Sequence, residues 1–157
     1  MAAGKVTGEA SPTKTGSKGL ALIKEFEGCK LNAYVCSAGV VTIGVGHTGS
    51  DVRMGMTITQ SEADGLLASD LDRFEQAVVK LIDVSIDQCE FDALVSFAFN
   101  CGEGALAEST LRRRLNAEET KSTVFAEELP RWTSGGMAGL VRRRDAEVKL
   151  ANQKQFP

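Results

Sequence analysis

E-G-C-K-L-N-A-Y-V-C-S-A-G-V-V-T-I-G-V-G-H-T, running from Glu27 to Thr48, is the stretch on which the reading of this chain turns. Glu27 closes a helix predicted from Ser17 to Glu27. Ser17 is placed to cap its start, and Leu22, Ile23 and Phe26 give it an apolar stripe. Gly28 suits its stop, because glycine takes the left-handed conformation of a helix end without a steric penalty. Leu31 to Val35 and Val40 to Val45 are short β-like runs, and Cys36-Ser37-Ala38-Gly39 between them reads as a hairpin turn. Such a hairpin folds Cys36 and Thr42 back toward Glu27. An acid, a thiol and a hydroxyl are then brought together within a short length of chain.

Downstream the pattern turns helical. A long helix is predicted from Gln60 to Ile82, where Thr59 and Glu62 form a capping-box pair. Its apolar face is Ala63, Leu66, Leu67, Leu71, Phe74, Val78 and Leu81. Asp87 and Glu90 repeat the cap before a helix holding Phe91, Leu94, Val95, Phe97, Ala98 and Phe99. That helix is apolar nearly all round and belongs at the centre of a core. Shorter helices follow near Thr110 to Asn116, Thr120 to Leu129 and Leu140 to Ala151, with Gly135-Gly136 separating the last two. A small sheet followed by helices, with no internal repeat, is an α+β arrangement.

The chain has 157 residues, enough for one domain or a small two-lobed unit with a real core. With 43% hydrophobic and 25% charged residues it is ordinary for a globular protein. A net charge of −3 gives no overall attraction to polyanions, so no nucleic-acid partner is implied. Arg112-Arg113-Arg114 and Arg142-Arg143-Arg144 read chiefly as solvated helix faces and ion pairs. No run approaches the ~18–20 apolar residues of a membrane span, and no signal-peptide stretch is present. Residues 1–16, rich in Ala, Gly, Ser, Thr and Lys, read as a flexible leader or linker ahead of a domain over 17–157. No His, Cys and Asp set has metal-ligand spacing, so no metal or cofactor is expected.

In Glu27, Cys36, Thr42 and the strand Thr42-Ile43-Gly44-Val45-Gly46-His47-Thr48, the chain resembles the phage-type lysozymes, the muramidases and endolysins of glycoside hydrolase family 24. That family carries a Glu, then an Asp or sometimes a Cys, then a Thr, in this order. The resemblance continues through Phe91-Asp92-Ala93-Leu94-Val95-Ser96-Phe97-Ala98-Phe99-Asn100, Ser109-Thr110-Leu111, Arg131-Trp132 and Gly139-Leu140-Val141-Arg142-Arg143-Arg144, covering residues 18 to 151. It implies a two-lobed lysozyme-like fold, a glycan cleft, a peptidoglycan substrate and no cofactor. It also implies a monomer acting in host lysis, passing from the host cytoplasm to the periplasm or cell wall, in some relatives by an N-terminal signal anchor. A basic rim facing the anionic wall is a second use for the arginine clusters.

Glycosidic cleavage needs a proton delivered to the leaving oxygen, and a group on the other face of the sugar to assist water or stabilise the cation. Glu27, following Phe26 at a helix end, suits the acid. The resemblance gives Thr42 the task of holding water and puts Cys36 where a carboxylate usually stands, as base, nucleophile or water-positioner. His47, the only histidine, is expected to pair with Asp70, a carboxylate on the apolar face of the long helix that needs a partner. Asn100 matches a family position that can bond an N-acetyl sugar, and Trp132 reads as core rather than sugar platform. The resemblance further suggests that a Cys29–Cys36 disulfide holds the enzyme inactive. The alternatives are unpaired thiols, or local stabilising Cys29–Cys36 and Cys89–Cys101 bonds. Two other functions stay open: a wall-binding module of the same fold with weak turnover, and a lytic transglycosylase.

Overall fold

The computed structural model describes residues 11–153. It consists of α1 (Ser17–Glu27), β1 (Lys30–Val35), β2 (Val41–Gly44), β3 (His47–Thr48), α2 (Gln60–Leu81), α3 (Gln88–Cys101), α4 (Glu103–Glu108), α5 (Thr110–Asn116), α6 (Lys121–Glu128), a 3-10 turn (Leu129–Arg131) and α7 (Ala138–Ala151). The α+β class expected from the sequence is the class observed. Among the described residues no helix is long and apolar enough to cross a membrane. The chain divides into two compact units, one of Ile23–Asp72 and the other of residues up to Leu22 together with those from Arg73 onward.

In the smaller unit the three strands form an antiparallel sheet in sequence order. Tyr34 faces Thr42 and Val35 faces Val41 across the first hairpin, while Ile43 pairs with His47 across the second. The two-residue β3 was not foreseen, because two residues carry no alternation from which to read a strand. Ile43, Val52, Ile58 and Ala63 form the core, with Leu31, Ala33, Val41, Met56 and Leu66 packed on it. Loop residues 56–58 reinforce β1, Ala33 donating to the Met56 carbonyl at 2.9 Å and Ile58 to that of Leu31 at 2.8 Å. The capping box is present at α2: Glu62 N donates to Thr59 Oγ1 at 3.1 Å and Thr59 N to Glu62 Oε1 at 3.2 Å.

The larger unit is organised on α3, whose residues Cys89 to Ala98 are all buried. Asp87 and Glu90 form its capping box, and Phe74 meets Phe99 edge to face at 5.3 Å. Gly102, at φ 101°, ends α3, and α4 starts immediately afterwards. That six-residue helix was missed, since it is too short for a periodic signal.

Ser17 does not cap α1. Asp92, on α3 and fully buried, does so from outside the helix, accepting from Gly16 N at 2.9 Å and Gly19 N at 3.1 Å. A Cβ on Gly19 would stand 2.7 Å from the Asp92 side chain, so only glycine lets the helix start approach that closely. Burial pushes the Asp92 carboxyl up, while the bonds from Gly16, Gln88 and Gly19 pull it down. The first ten residues of the expected leader lie outside the described residues. Further along that segment, Thr15 gives its amide and hydroxyl to the buried Glu75 at 2.8 and 2.7 Å, and the Lys14 carbonyl accepts from Gln88 at 2.8 Å.

Asp92→Ala strands the amides of Gly16, just ahead of α1, and of the buried Gly19 in its first turn, so it is expected to cost about 2–3 kcal/mol in chemical denaturation. A loss below about 0.5 kcal/mol would mean that water caps α1 equally well.

Candidate functional site

Glu27 is the last residue of α1 and is half-buried. Gly28, at φ 75°, turns the chain directly into β1, and its amide bonds the Lys24 carbonyl at 2.8 Å. At the far end of that strand, Cys36 N donates to the Val40 carbonyl and Gly39 N to the Cys36 carbonyl, both at 2.9 Å. This closes the predicted turn, with Gly39 at φ 80°. The chain returns through Thr42, which is almost fully buried and whose hydroxyl donates to the Val40 carbonyl at 2.9 Å. The tip is therefore lined with donors. The Val40 amide first, then the Ala38 amide and the neighbouring Thr42 side chain, lower the Cys36 thiol from its ordinary value against the smaller opposing effect of burial. More of it is thiolate near neutrality than in an unassisted cysteine.

The β2–β3 turn comes back against the acid. Gly46 sits at φ 70°, and a Cβ there would lie 3.6 Å from Glu27 Oε2. Cys36 and Thr42 are thus neighbours on the first hairpin, and Glu27 lies beside the turn that follows the Thr42 strand. A stabilised thiolate and a hydroxyl can hold and deprotonate water, and a carboxylic acid can deliver a proton.

On β3, His47 Nδ1 lies 2.7 Å from Asp70 Oδ2, and Nε2 lies 2.9 Å from Asp51 Oδ2. Asp51 was missed by the sequence reading, although an acid four residues after the only histidine was the available signal. Burial lowers the imidazole's affinity for its proton, but the two carboxylates outweigh it and the His47 value ends raised. Lys24 and Gln60 both bond Asp64, at 2.8 and 3.0 Å.

Asn100 is exposed near the end of α3. Its Oδ1 accepts from Arg144 Nη2 at 2.7 Å, and Arg144 Nη1 reaches Cys101 Sγ at 2.8 Å. Arg143 and Arg144 are not on a solvated face, being 3% and 1% exposed. They close on Glu147, itself fully buried: Arg144 Nη2 donates at 3.2 Å and Ser96 Oγ at 2.5 Å. Arg144 Nε faces Glu147 Oε1 at 2.8 Å, a charge contact too bent for a hydrogen bond. Arg114 similarly bonds Glu119, Glu127 and Glu128. Trp132 packs edge-on against Phe97 at 5.2 Å.

The expected disulfides are not formed. None of Cys29, Cys36, Cys89 and Cys101 is bridged, and no two lie at bonding distance. Cys29 is exposed, its sulfur 3.7 Å from Gln60 Nε2, and Cys36 is half-buried.

Residues 24–147 match the family model described as phage lysozyme. The chain is 46% identical over 139 residues to an endolysin of Bacillus phage PZA, covering 85% of this chain and 53% of that one. It spans about half the length of the Bacillus phage endolysins it matches. Among solved structures it resembles an endolysin from Escherichia coli O157:H7 phage FAHEc1, with 39% identity, a TM-score of 0.82 and coverage of 92% of this chain and 96% of that one. It also resembles the muramidase domain of SpmX from Asticaccaulis excentricus, with 37% identity, a TM-score of 0.80 and coverage of 90% and 99%.

The raised His47 value fixes a sign. A group that binds its proton more tightly when folded contributes most below its unfolded value near ~6.5, and loses that contribution as pH rises through the folded value. Asp70→Asn is expected to cost about 1–3 kcal/mol at pH 6, with a smaller deficit above pH 8. A deficit that stays constant across this range in thermal melts would show that the pair carries no proton-linked stability.

Proposed function

We propose that this chain, which belongs to the phage lysozyme family, hydrolyses peptidoglycan as a muramidase at the β-1,4 bond between N-acetylmuramic acid and N-acetylglucosamine. The observation that carries this reading is the hairpin, which sets Cys36 and the almost fully buried Thr42 on one turn while the next turn brings Gly46 against Glu27. A module that only bound the wall would have no use for an acid, a thiol and a buried hydroxyl held on successive turns.

In the proposed reaction Glu27 protonates the leaving glycosidic oxygen as the bond to the anomeric carbon breaks. Water held by Thr42 attacks that carbon, and its proton passes to the Cys36 thiolate. Solvent then returns the thiol's proton to Glu27 and completes the cycle. Asn100 contacts the sugar, while His47 and Asp70 hold β3 to α2 without touching the reacting atoms. The setting is the host wall at lysis, reached from the host cytoplasm.

Mass spectrometry of digested peptidoglycan tests the reaction. Fragments with reducing N-acetylmuramic acid ends are expected. Anhydro ends would make the protein a lytic transglycosylase, and no fragments would reduce it to a wall-binding module.

Glu27→Gln keeps the shape of the acid but has no proton to give, so turnover should fall at least a hundredfold with an unchanged melting temperature. Retention of a tenth or more of the activity would remove Glu27 from the role. Cys36→Asp should stay active and extend activity to lower pH, because a carboxylate is ionised from about pH 4 upward where the thiol holds its proton. An unchanged acidic limb would show that Cys36 is not the base.

A further inference from the structure

We propose that the groove between the second half of α2 and α4 is an accessory wall-binding site that takes the peptide stem of peptidoglycan, an extended peptide with alanine methyls and charges of both signs. The inference rests on peptidoglycan being the substrate, and adds a second point of attachment that lies wholly within the larger unit.

The groove has a volume of about 540 Å3. Ala77, Gly104 and Ala107 line it with almost no side chain, and a Cβ on Gly104 would meet nothing within 4 Å. Its two walls are tied at one end by Arg112. The guanidinium Nε donates to the Leu81 carbonyl at 3.0 Å, and Nη1 donates to that of Ala107 at 3.1 Å. The space is thus held open in advance, and a ligand entering it has little left to order.

Charge stands around this lining in a definite sequence. Arg73 and Lys80 are exposed on one stripe of α2, about 10 Å apart along the helix axis. Arg73 Nε meets Glu103 Oε1 at 3.0 Å, while Lys80 has no acidic partner among the described residues. The rim therefore presents a cation and an anion together at one end and an unengaged cation at the other.

A span of about 10 Å is also the length of three extended residues. The stem on N-acetylmuramic acid carries a free carboxylate on its γ-linked glutamate, an ammonium on its diamino acid and a carboxylate on its last alanine. One carboxylate meets Lys80, while the ammonium and the other carboxylate meet Glu103 and Arg73. The alanine methyls bury against Ala77 and Ala107. A uniform polyanion fits less well, because Glu103 stands in its path. None of Glu27, Cys36 and Thr42 lines the groove, so what it contributes is retention on the wall and not chemistry.

The test titrates the full chain with synthetic L-alanyl-γ-D-glutamyl-L-lysyl-D-alanine and reads backbone amides by nuclear magnetic resonance. Saturating shifts centred on residues 73–81 and 103–107 are expected, with a Kd on the order of 1 mM. Lys80→Glu should weaken binding about tenfold, the worth of one charge-assisted hydrogen bond. Gly104→Leu, which fills the groove without meeting a neighbour, should remove it. On intact wall Gly104→Leu should raise KM several-fold at unchanged kcat, and on glycan strands stripped of their peptides it should match wild type.

The proposal is overturned if the peptide shifts no amides there or if Gly104→Leu binds it as well as wild type does. It is overturned equally if a glycerol-phosphate polymer binds the groove more tightly than the peptide at about 0.15 M salt, which would make it a general anion surface. Peptide binding is read without turnover, so the two readings fail separately. A wild type that binds the peptide but cuts no wall keeps the groove and sinks the hydrolase. One that cuts the wall but ignores the peptide does the reverse.

Discussion

Glu147 has been taken wholly out of water on α7, and an ionised carboxylate in such a place persists only when donors reach it from several directions. Burial pushes its carboxyl up, and Arg144, Ser96 and Arg143 pull it back. Ser96 lies in the middle of α3, so the arrangement binds α7 to the most deeply buried helix of the larger unit. Much else there follows from it. Arg144 has no room to leave the Phe97 ring, whose other neighbour is Trp132, and Asn100 inherits a fixed partner. A hydrophobic core specifies volume. This polar set specifies rotation, because a helix turned by one residue would leave a charge without its donors.

The same requirement recurs on a smaller scale. Asp92 and Glu75 are buried on α3 and α2, and backbone amides and a hydroxyl in residues 15–19 meet them, with Gln88 and Lys14 adding a further donor each. Asp70 is met by His47, whose other nitrogen engages Asp51. Each case joins segments far apart in sequence through a carboxylate, and each depends on a chain start, a short strand or a loop that would have little packing of its own. Ion pairs at the surface contribute far less. Lys149–Asp145, with both partners well exposed, is worth little beyond solubility.

What was legible in the sequence was local. The bounds of α1 and α5, the capping boxes at Thr59–Glu62 and Asp87–Glu90, and the turn at Cys36–Gly39 all rest on residues within four positions of one another. What was illegible depended on partners far along the chain. Ser17 has the chemistry of a cap, but Asp92 occupies that role from α3, and no local rule reports it. Arg143 and Arg144 read as a solvated face because arginine usually is one, and only the placement of Ser96 and Glu147 makes them interior. In the candidate site, the types and order of Glu27, Cys36 and Thr42 were readable. The amide lining that acts on Cys36 was not, since it depends on backbone directions in the turn. The disulfide expectation failed on related ground: spacing admits a bond, but the folded hairpin does not bring Cys29 and Cys36 to bonding distance.

That lining bears on how a thiol could serve in the proposed reaction. The Val40 and Ala38 amides are donors whatever side chain follows Val35. Donors converging on one point favour any anion placed there, carboxylate or thiolate alike. A carboxylate gains little charge from such help, being ionised already at neutral pH, whereas a thiol becomes more ionised than it would be unassisted. The turn therefore encodes an anion site first and a particular side chain second. The constraint lies in the turn geometry set by Gly39 and in the buried Thr42, and a substitution that disturbs either would remove the thiolate without touching the cysteine.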